Sequence, residues 1–341
     1  MLTEGMIIIG TPMADDRVRG EQRLAIGLLA YPGLHELVML ARSAERHGFS
    51  AAFMAETQLR RDAVAPLAAM LMATTRLVVG SAAVNVFTRG AALLAVTWAT
   101  LAEAAPGRVL LGLGVGSAST LAQQGFEVSR PISRMREYTE AIRLLWAGEP
   151  VTYQGRSVTL RSAQLDVRPD PVPQVFHCVG GPQALRSAAR LADGIILDVL
   201  LPPGEVARMI KQVHDGAGGR FTGEIGAGLM VSLADDWREA ADRIRPTLAR
   251  YIARFPELTR EMGISDELVA RITSAVGCDG PAVAAKLLTD DLVDAVAVCG
   301  TAERCRKRIS AYRATGVTLP VLFAEPHSLH QVVAELAPLP A

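Results

Sequence analysis

The chain has 341 residues, of which 50% are hydrophobic and 21% are charged. This composition supplies apolar material for a large core and excludes an intrinsically disordered protein. The 35 lysines and arginines balance 35 aspartates and glutamates, which argues against a nucleic-acid binder because such proteins carry a basic excess. No apolar run reaches the roughly 18 residues of a membrane span, so we expect no membrane partner.

The start of the chain and the cysteines indicate a compartment. The apolar stretch 6–9 is too short for a signal-peptide core, and Glu4 stands where such a peptide carries positive charge. The four cysteines form no C-x-x-C pair and have no histidine cluster near them, so we expect no metal site. The sequence therefore predicts a cytoplasmic protein with reduced thiols.

Short apolar runs alternate with amphipathic segments along the chain. The first run, Leu24–Ala30, is broken by Pro32 and Gly33 before apolar residues recur at helical spacing. This rhythm predicts parallel strands that are buried on both faces and joined by helices. The eight predicted strands are 24–30, 51–55, 77–82, 109–113, 175–179, 194–199, 227–233 and 319–324.

Eight such units predict an α/β fold, a closed (β/α)8 TIM barrel with insertions. A doubly wound open sheet fits less well, because the strongest glycine motif follows strand four rather than strand one. We expect residues 1–341 to form a single barrel domain with an N-terminal extension at 1–22. The barrel is expected to carry an excursion between strands four and five at 151–173 and a helical region at 236–290, broken at Pro246 and at later proline and glycine residues.

Chemistry in such a barrel is expected on the loops that follow the strands. The run Gly112–Ser117 follows strand four, but a dinucleotide fingerprint would need glycine at position 117 or 119, and both are serine. Two interpretations remain. The backbone passes close to a flat ligand and offers N–H groups and hydroxyls to a phosphate, or the glycines form a packing turn. The run 180–182, Gly-Gly-Pro, leads strand five into a helix and has the same two interpretations.

Three further residues carry open alternatives. Glu56 ends strand two and is either a reactive group or a solvated loop carboxylate. Arg89, after strand three, is either a ligand contact or a surface residue. His177 has apolar neighbours on its strand, which favours a core histidine over a functional one.

Taken together, the segments resemble the luciferase-like flavin-dependent oxidoreductases, a barrel family that covers bacterial luciferase, flavin monooxygenases and deazaflavin-dependent reductases. The chain is most similar to the methylene-tetrahydromethanopterin reductase branch, which has a comparable Asn-x-x-Thr-Arg after strand three, here 85–89, and Thr-Leu after the glycine loop, here 120–121. The resemblance extends over roughly 24–325 and rests on the order and spacing of segments 40–56, 76–89, 101–117, 134–155, 179–194 and 298–316.

The resemblance implies a bound cofactor, either coenzyme F-420, which is an 8-hydroxy-5-deazaflavin, or FMN. Three lysines among 35 basic residues indicate GC-rich coding DNA, which favours F-420. A non-proline cis peptide is implied at Ala82-Ala83, under the ring system. The cofactor-binding residues that the resemblance implies are Ala82, Ala83, Asn85, Gly114, Val115, Gly116, Ser117, Val179, Gly180, Gly181 and Pro182.

The chain departs from the family at its acid–base positions. Many members carry histidine after the strand-two glutamate, whereas this chain has Thr57-Gln58. Strand one lacks the acidic end of the reductase branch, and Ser117 stands where sugar-oxidising relatives have glutamate. Glu56 and Thr57 are therefore the catalytic candidates, while the hydride chemistry belongs to the cofactor.

Three functions are consistent with this pattern. The first is hydride transfer between F-420 or FMN and a small organic substrate. The second is a two-component FMN-dependent monooxygenase that uses oxygen and takes reduced flavin from a flavin reductase partner. The third is a catalytically silent flavin-binding relative. The resemblance also implies a homodimer.

Overall fold

A computed structural model describes residues 23–56, 59–256, 259 and 264–338. The predicted extension and Thr57 therefore lie outside the described residues. Within these ranges the strands are β1 (Ala25–Leu28), β2 (Ala51–Met54), β3 (Val78–Ser81), β4 (Val84–Asn85), β5 (Val109–Gly114), β6 (Val151–Gln154), β7 (Thr159–Ala163), β8 (Gln174–Cys178), β9 (Gly194–Leu197), β10 (Glu224–Leu233), β11 (Ala297–Gly300) and β12 (Leu319–Phe323).

The helices connect these strands in alternation. They are α1 (Leu34–Arg46), α2 (Val64–Ala73), α3 (Ala91–Ala104), α4 (Ala118–Ala122), α5 (Pro131–Trp146), α6 (Pro182–Leu191), α7 (Pro203–Gly216), α8 (Trp237–Arg254), α9 (Asp266–Cys278), α10 (Pro281–Ala284), α11 (Asp290–Val296), α12 (Ala302–Arg313) and α13 (Pro326–Glu335). None of the described helices is long and apolar enough to cross a membrane.

Eight parallel strands close into a barrel in the order β1, β2, β3, β5, β8, β9, β10 and β12, and β12 pairs again with β1. The predicted (β/α)8 barrel is thus confirmed, with each of its eight strands at the expected place. Strands β4 and β11 were not predicted. They pair only with the ends of β5 and β10. Strand β4 has just two residues, and β11 ends an apolar run that begins in α11, so periodicity does not separate it from that helix.

The barrel interior is filled by a few large rings that stand opposite glycines. A Cβ added to Gly27 would lie 2.2 Å from the ring of Phe323, and one on Gly194 would lie 2.4 Å from the ring of Phe176. Because such separations are impossible, the glycines are what allows the rings to enter the core. Inside this barrel, large aromatic residues therefore pack against glycines on neighbouring parts of the chain.

The segment between β5 and β8 carries an antiparallel hairpin of β6 and β7, outside the barrel. It is attached through the buried Glu137 of α5, whose Oε2 accepts from the backbone N–H groups of Ser157 at 2.6 Å and Val158 at 3.1 Å. Burial opposes ionisation of this carboxyl, but the backbone N–H donors outweigh it and lower its pKa. The ionised Glu137 carboxylate thus holds the turn between β6 and β7 against α5.

Helix α8 covers one end of the barrel, because its apolar side chains join the same buried cluster as the barrel interior. Asp236 caps its start by accepting from the N–H groups of Arg238 and Glu239. The predicted break at Pro246 is wrong, since the helix runs through it. The proline removes a single backbone hydrogen bond, and the buried Ile244 and Leu248 hold the helix on both sides of it.

His177 is a core residue, as its apolar neighbours predicted. It lies on β8, and its Nε2 is 2.8 Å from the hydroxyl of Thr139 on α5. Burial, and then the Arg143 guanidinium, lower its pKa to about 3. The folded protein therefore keeps this imidazole neutral.

This neutrality makes stability depend on pH. Below about pH 6.5 the unfolded chain protonates His177 while the folded chain does not, so the free energy of unfolding falls as the pH is lowered towards 3. We predict that His177→Gln flattens this dependence between pH 6.5 and 5 by up to about 1.4 kcal/mol per pH unit in urea unfolding. The control, His330→Gln on the exposed face of α13, keeps the parent slope. An unchanged slope for His177→Gln would contradict the assignment.

Candidate active site

The segment Ala82–Asn85 forms a platform at the carboxyl end of the barrel. The Ala82-Ala83 peptide is cis, as the resemblance implied. The Ala82 N–H donates to the carbonyl of Met54 at 2.9 Å, which ties the platform to β2. Its second half runs beside β5, with Asn85 opposite Gly114. The platform is thus hydrogen-bonded on both sides.

Gly114 allows the platform to approach β5 closely. A Cβ added at this position would lie 2.8 Å from the Cβ of Ala83 and 3.8 Å from the Cβ of Cys178. Any side chain at this position would force Ala83 to move. The ends of β3, β5 and β8 therefore meet in a surface of small side chains.

Asn85 fixes the platform to the loop after β5. Its side-chain amide donates to the carbonyl of Val115, and its Oδ1 accepts from the N–H groups of Phe87 at 2.7 Å and Thr88 at 3.3 Å. Only 3% of the residue is exposed. The amide is thus occupied by the backbone, and its role is to hold the platform in position.

Glu56 anchors the platform from the β2 side. One carboxylate oxygen accepts from the backbone N–H of Asn85 at 3.1 Å, and the other pairs with Arg89, at 3.0 Å from Nε and 2.9 Å from Nη2. Its side chain is 6% exposed. Arg89 also pairs with the exposed Asp62, and its carbonyl accepts from the Tyr138 hydroxyl. Glu56 is therefore a buried carboxylate with protein partners and not a solvated loop residue. Arg89 links it to Asp62 and to the Tyr138 hydroxyl.

The loop after β5 contacts the last turn of α8. Gly116 adopts φ +71°, a left-handed conformation that glycine accepts without strain. Ser117 is buried, and its hydroxyl lies 2.8 Å from that of Ser119 and 3.4 Å from the carbonyl of Arg254. The Arg254 guanidinium returns a contact of 3.4 Å to Thr120. Helix α8 thus forms a wall over this side of the site.

The loop after β8 leaves the barrel beside the β5 loop, because β5 and β8 are paired neighbours. The Val179 N–H donates to the backbone carbonyl of Ile196 at 3.2 Å. Gly181 directly precedes α6, which has Pro182 in its first turn. No side chain caps this helix, and a Cβ added to Gly181 would meet nothing within 4 Å. The first N–H groups of α6 therefore border open space.

Two polar residues that the sequence analysis missed meet beside the β8 loop, at the end of β9. Asp198 follows β9 and accepts from the Val199 N–H at 2.8 Å and from the hydroxyl of Tyr251 on α8. Cys178 on β8 is opposite Ile196 on β9, so Asp198 lies next to the small-residue surface. Burial, and then the Asp198 carboxylate, raise the pKa of the Cys178 thiol. An aspartate directly after an apolar strand was a visible signal, whereas Tyr251 meets it only through packing.

The described residues hold no group of three or more histidine, cysteine or acidic side chains suited to a metal ion. The polar groups at the mouth are instead arranged around an uncharged surface. Glu56 and Asn85 support it from one side, and the Ser117 hydroxyl and the α6 terminus lie along another. The Asp198–Tyr251 pair follows β9, which is opposite β2 and Glu56 in the barrel order. Such a site suits a flat organic ligand with an anionic end.

Comparisons with known proteins agree with this geometry. A model of the luciferase-like monooxygenase family matches residues 14–319. The 5,10-methylenetetrahydromethanopterin reductase of Methanolobus tindarius is 30% identical over 285 residues, covering 82% of this chain and 86% of that protein. A putative coenzyme F-420-dependent oxidoreductase of Mycobacterium tuberculosis is 28% identical over 313 residues, 84% of this chain and 89% of its own length.

Solved structures share the fold at lower identity. The F-420-dependent tetrahydromethanopterin reductase of Methanopyrus kandleri superposes with a TM-score of 0.84 at 22% identity, covering 94% of this chain and 99% of the other. The EDTA monooxygenase of Chelativorans sp. BNC1 has a TM-score of 0.71 at 15% identity, with coverages of 93% and 92%. Both therefore support the barrel architecture alone.

The two carboxylates on Arg89 give a matched test of the anchor. We predict that Glu56→Gln lowers the free energy of unfolding by about 1–3 kcal/mol, because it leaves buried donors without a charged acceptor. Asp62→Asn removes a carboxylate that is 45% exposed and is expected to cost less than about 1 kcal/mol. Urea unfolding of both variants measures the difference. Equal losses would show that Glu56 is not an anchor.

Proposed function

The chain belongs to the luciferase-like monooxygenase family, and on that premise we propose that it transfers a hydride between coenzyme F-420 or FMN and a small organic substrate. The single observation that carries the proposal is the close approach of Ala83 to Gly114, which leaves a flat surface of small side chains at the barrel mouth. Relatives whose names specify dependence on F-420 support the choice of that cofactor.

The residues present fit such a cofactor. The ring system would lie against Ala82, Ala83 and Asn85 and over Gly114. The phosphate would be held by Ser117 and by the N–H groups at Gly180 and Gly181, with Val115, Gly116, Val179 and Pro182 shaping the two loops. When bound, the cofactor supplies the hydride acceptor or donor.

The protein's own contribution is positioning and proton management. Glu56 and Asn85 hold the platform rigid, so the reacting face has a fixed orientation. Helix α8 covers the mouth and limits access of water. The Tyr251 hydroxyl donates to the Asp198 carboxylate, and we assign to this pair the proton that the substrate gains or loses. Thr57 remains a candidate for the reactive face.

A flavin-dependent monooxygenase is the second candidate. It is favoured by the match of residues 14–319 to the luciferase-like monooxygenase family model. Such an enzyme would receive reduced FMN from a reductase partner and would use oxygen as co-substrate. Cofactor preference separates the two, because a deazaflavin does not support the oxygen chemistry.

Titration of the apoprotein with F-420, oxidised FMN and reduced FMN tests the proposal. Micromolar or tighter binding of F-420 supports the hydride transferase, and preference for reduced FMN supports the monooxygenase. Gly114→Ala is expected to weaken binding by about tenfold or more, equivalent to about 1.4 kcal/mol, because its methyl displaces Ala83. Gly33→Ala, whose Cβ meets nothing within 4 Å, is the control. Binding of neither cofactor would contradict the proposal.

A homodimer is proposed as well, through the outer faces of α2 and α3. Helix α2 has no charged residue, yet Met72 is 73% exposed, and Val96 on α3 is exposed too. Helices that are apolar all round are normally covered. We predict a light-scattering mass of about twice 36.3 kDa for the parent protein and a monomer for Met72→Asp combined with Val96→Asp. Leu144→Asp, which places the same charge on α5, should stay dimeric, and a monomeric parent would refute the proposal.

A further inference from the structure

A cavity of about 470 Å³ opens beside the platform, between the loops that follow β2 and β3. It lies within the 300–1,000 Å³ typical of small-molecule sites. Glu56, which holds the platform, forms part of its wall, so the cavity adjoins the surface proposed for the ring. Its charged and polar lining is formed by Glu56, Arg60, Arg61, Asp62, Thr88, Arg89 and Gln124.

The charges in this lining do not cancel. Three arginines face two carboxylates, which leaves one positive charge. The two carboxylates, Glu56 and Asp62, are both engaged by Arg89. Within the described part of the chain, neither Arg60 nor Arg61 forms an ion pair with a carboxylate. Arg89 and its two carboxylates carry one net negative charge, and the two positive charges of Arg60 and Arg61 outweigh it.

Each of these arginines is oriented by an uncharged contact. The Arg61 Nε donates to the carbonyl of Ala30 at 3.3 Å. The Arg60 guanidinium lies 4.6 Å from the ring centroid of Tyr31, a cation–π distance. Both contacts position the guanidiniums without neutralising them. Two adjacent planar donors in a cavity are suited to a carboxylate or a phosphate, which they bind in bidentate geometry.

We propose that this cavity binds the carboxylate or phosphate of an anionic substrate. The inference rests on the proposed function, whose cofactor phosphate is assigned to the loops after β5 and β8. In the barrel order β2, β3, β5 and β8, the platform lies between those loops and the cavity. The cofactor phosphate and the cavity are therefore on opposite sides of the ring position, and the anionic group in the cavity is that of the second reactant.

Calorimetric titration with citrate and with inorganic phosphate tests the cavity. We expect binding by the parent and a loss of affinity of about tenfold or more in Arg60→Gln and in Arg61→Gln. Arg42→Gln is the matched control, because Arg42 also donates its Nε to a backbone carbonyl, that of Ala73, far from the cavity. Arg60 is exposed, so its variant tests the charge even if Arg61→Gln fails to fold. No binding by the parent, or equal losses in the control, would overturn the proposal.

Paired cofactor titrations distinguish the source of the anionic group. If Arg61→Gln weakens the binding of FMN but not that of riboflavin, the cavity holds the cofactor phosphate and the substrate assignment is wrong. If Arg61→Gln binds FMN and F-420 as tightly as the parent protein does, the substrate assignment stands. Arginine-dependent binding of citrate by a protein that binds neither cofactor would refute the proposed function and leave the anion site intact.

Discussion

The close approach of the platform to β5 is the constraint on which the rest of the site depends. With no side chain at Gly114, the Cβ of Ala83 occupies the space that a methyl at that position would need. The β3, β5 and β8 ends then form one surface without protruding groups. Asn85 holds this arrangement through hydrogen bonds to the backbone, and Glu56 holds it through the Asn85 N–H and the Arg89 guanidinium.

These hydrogen bonds explain how a site with few acidic residues still has a fixed geometry. Glu56 is a catalytic candidate from the sequence, and in the structure it anchors the platform on which we propose the ring lies. Its oxygens, however, accept from Asn85 and Arg89, so its direct contribution in this structure is to fix geometry. The proton chemistry is then assigned to Asp198 and Tyr251, which stand across the mouth where α8 meets β9.

The fold was readable from the sequence because each barrel strand is an apolar run buried on both faces, and that pattern is local. The glycines of the site were readable for the same reason, since they lie at the ends of strands or directly after them. Pairings between residues far apart in the chain could not be predicted from the sequence. Arg89 meets Glu56 across 33 positions, and Tyr251 meets Asp198 across 53, so no local pattern announces either contact. Strand β11 also depends on its neighbour, because its pairing partner is the far end of β10.

A crystal structure of the protein with F-420 or FMN bound tests the central claim most directly. We expect the ring system to lie against Ala82–Asn85 and over Gly114. We expect the phosphate to be within hydrogen-bond distance of Ser117 or of the N–H groups at Gly180 and Gly181. A ring bound elsewhere in the mouth, or a phosphate held by Arg60 and Arg61 instead, would contradict the proposed site.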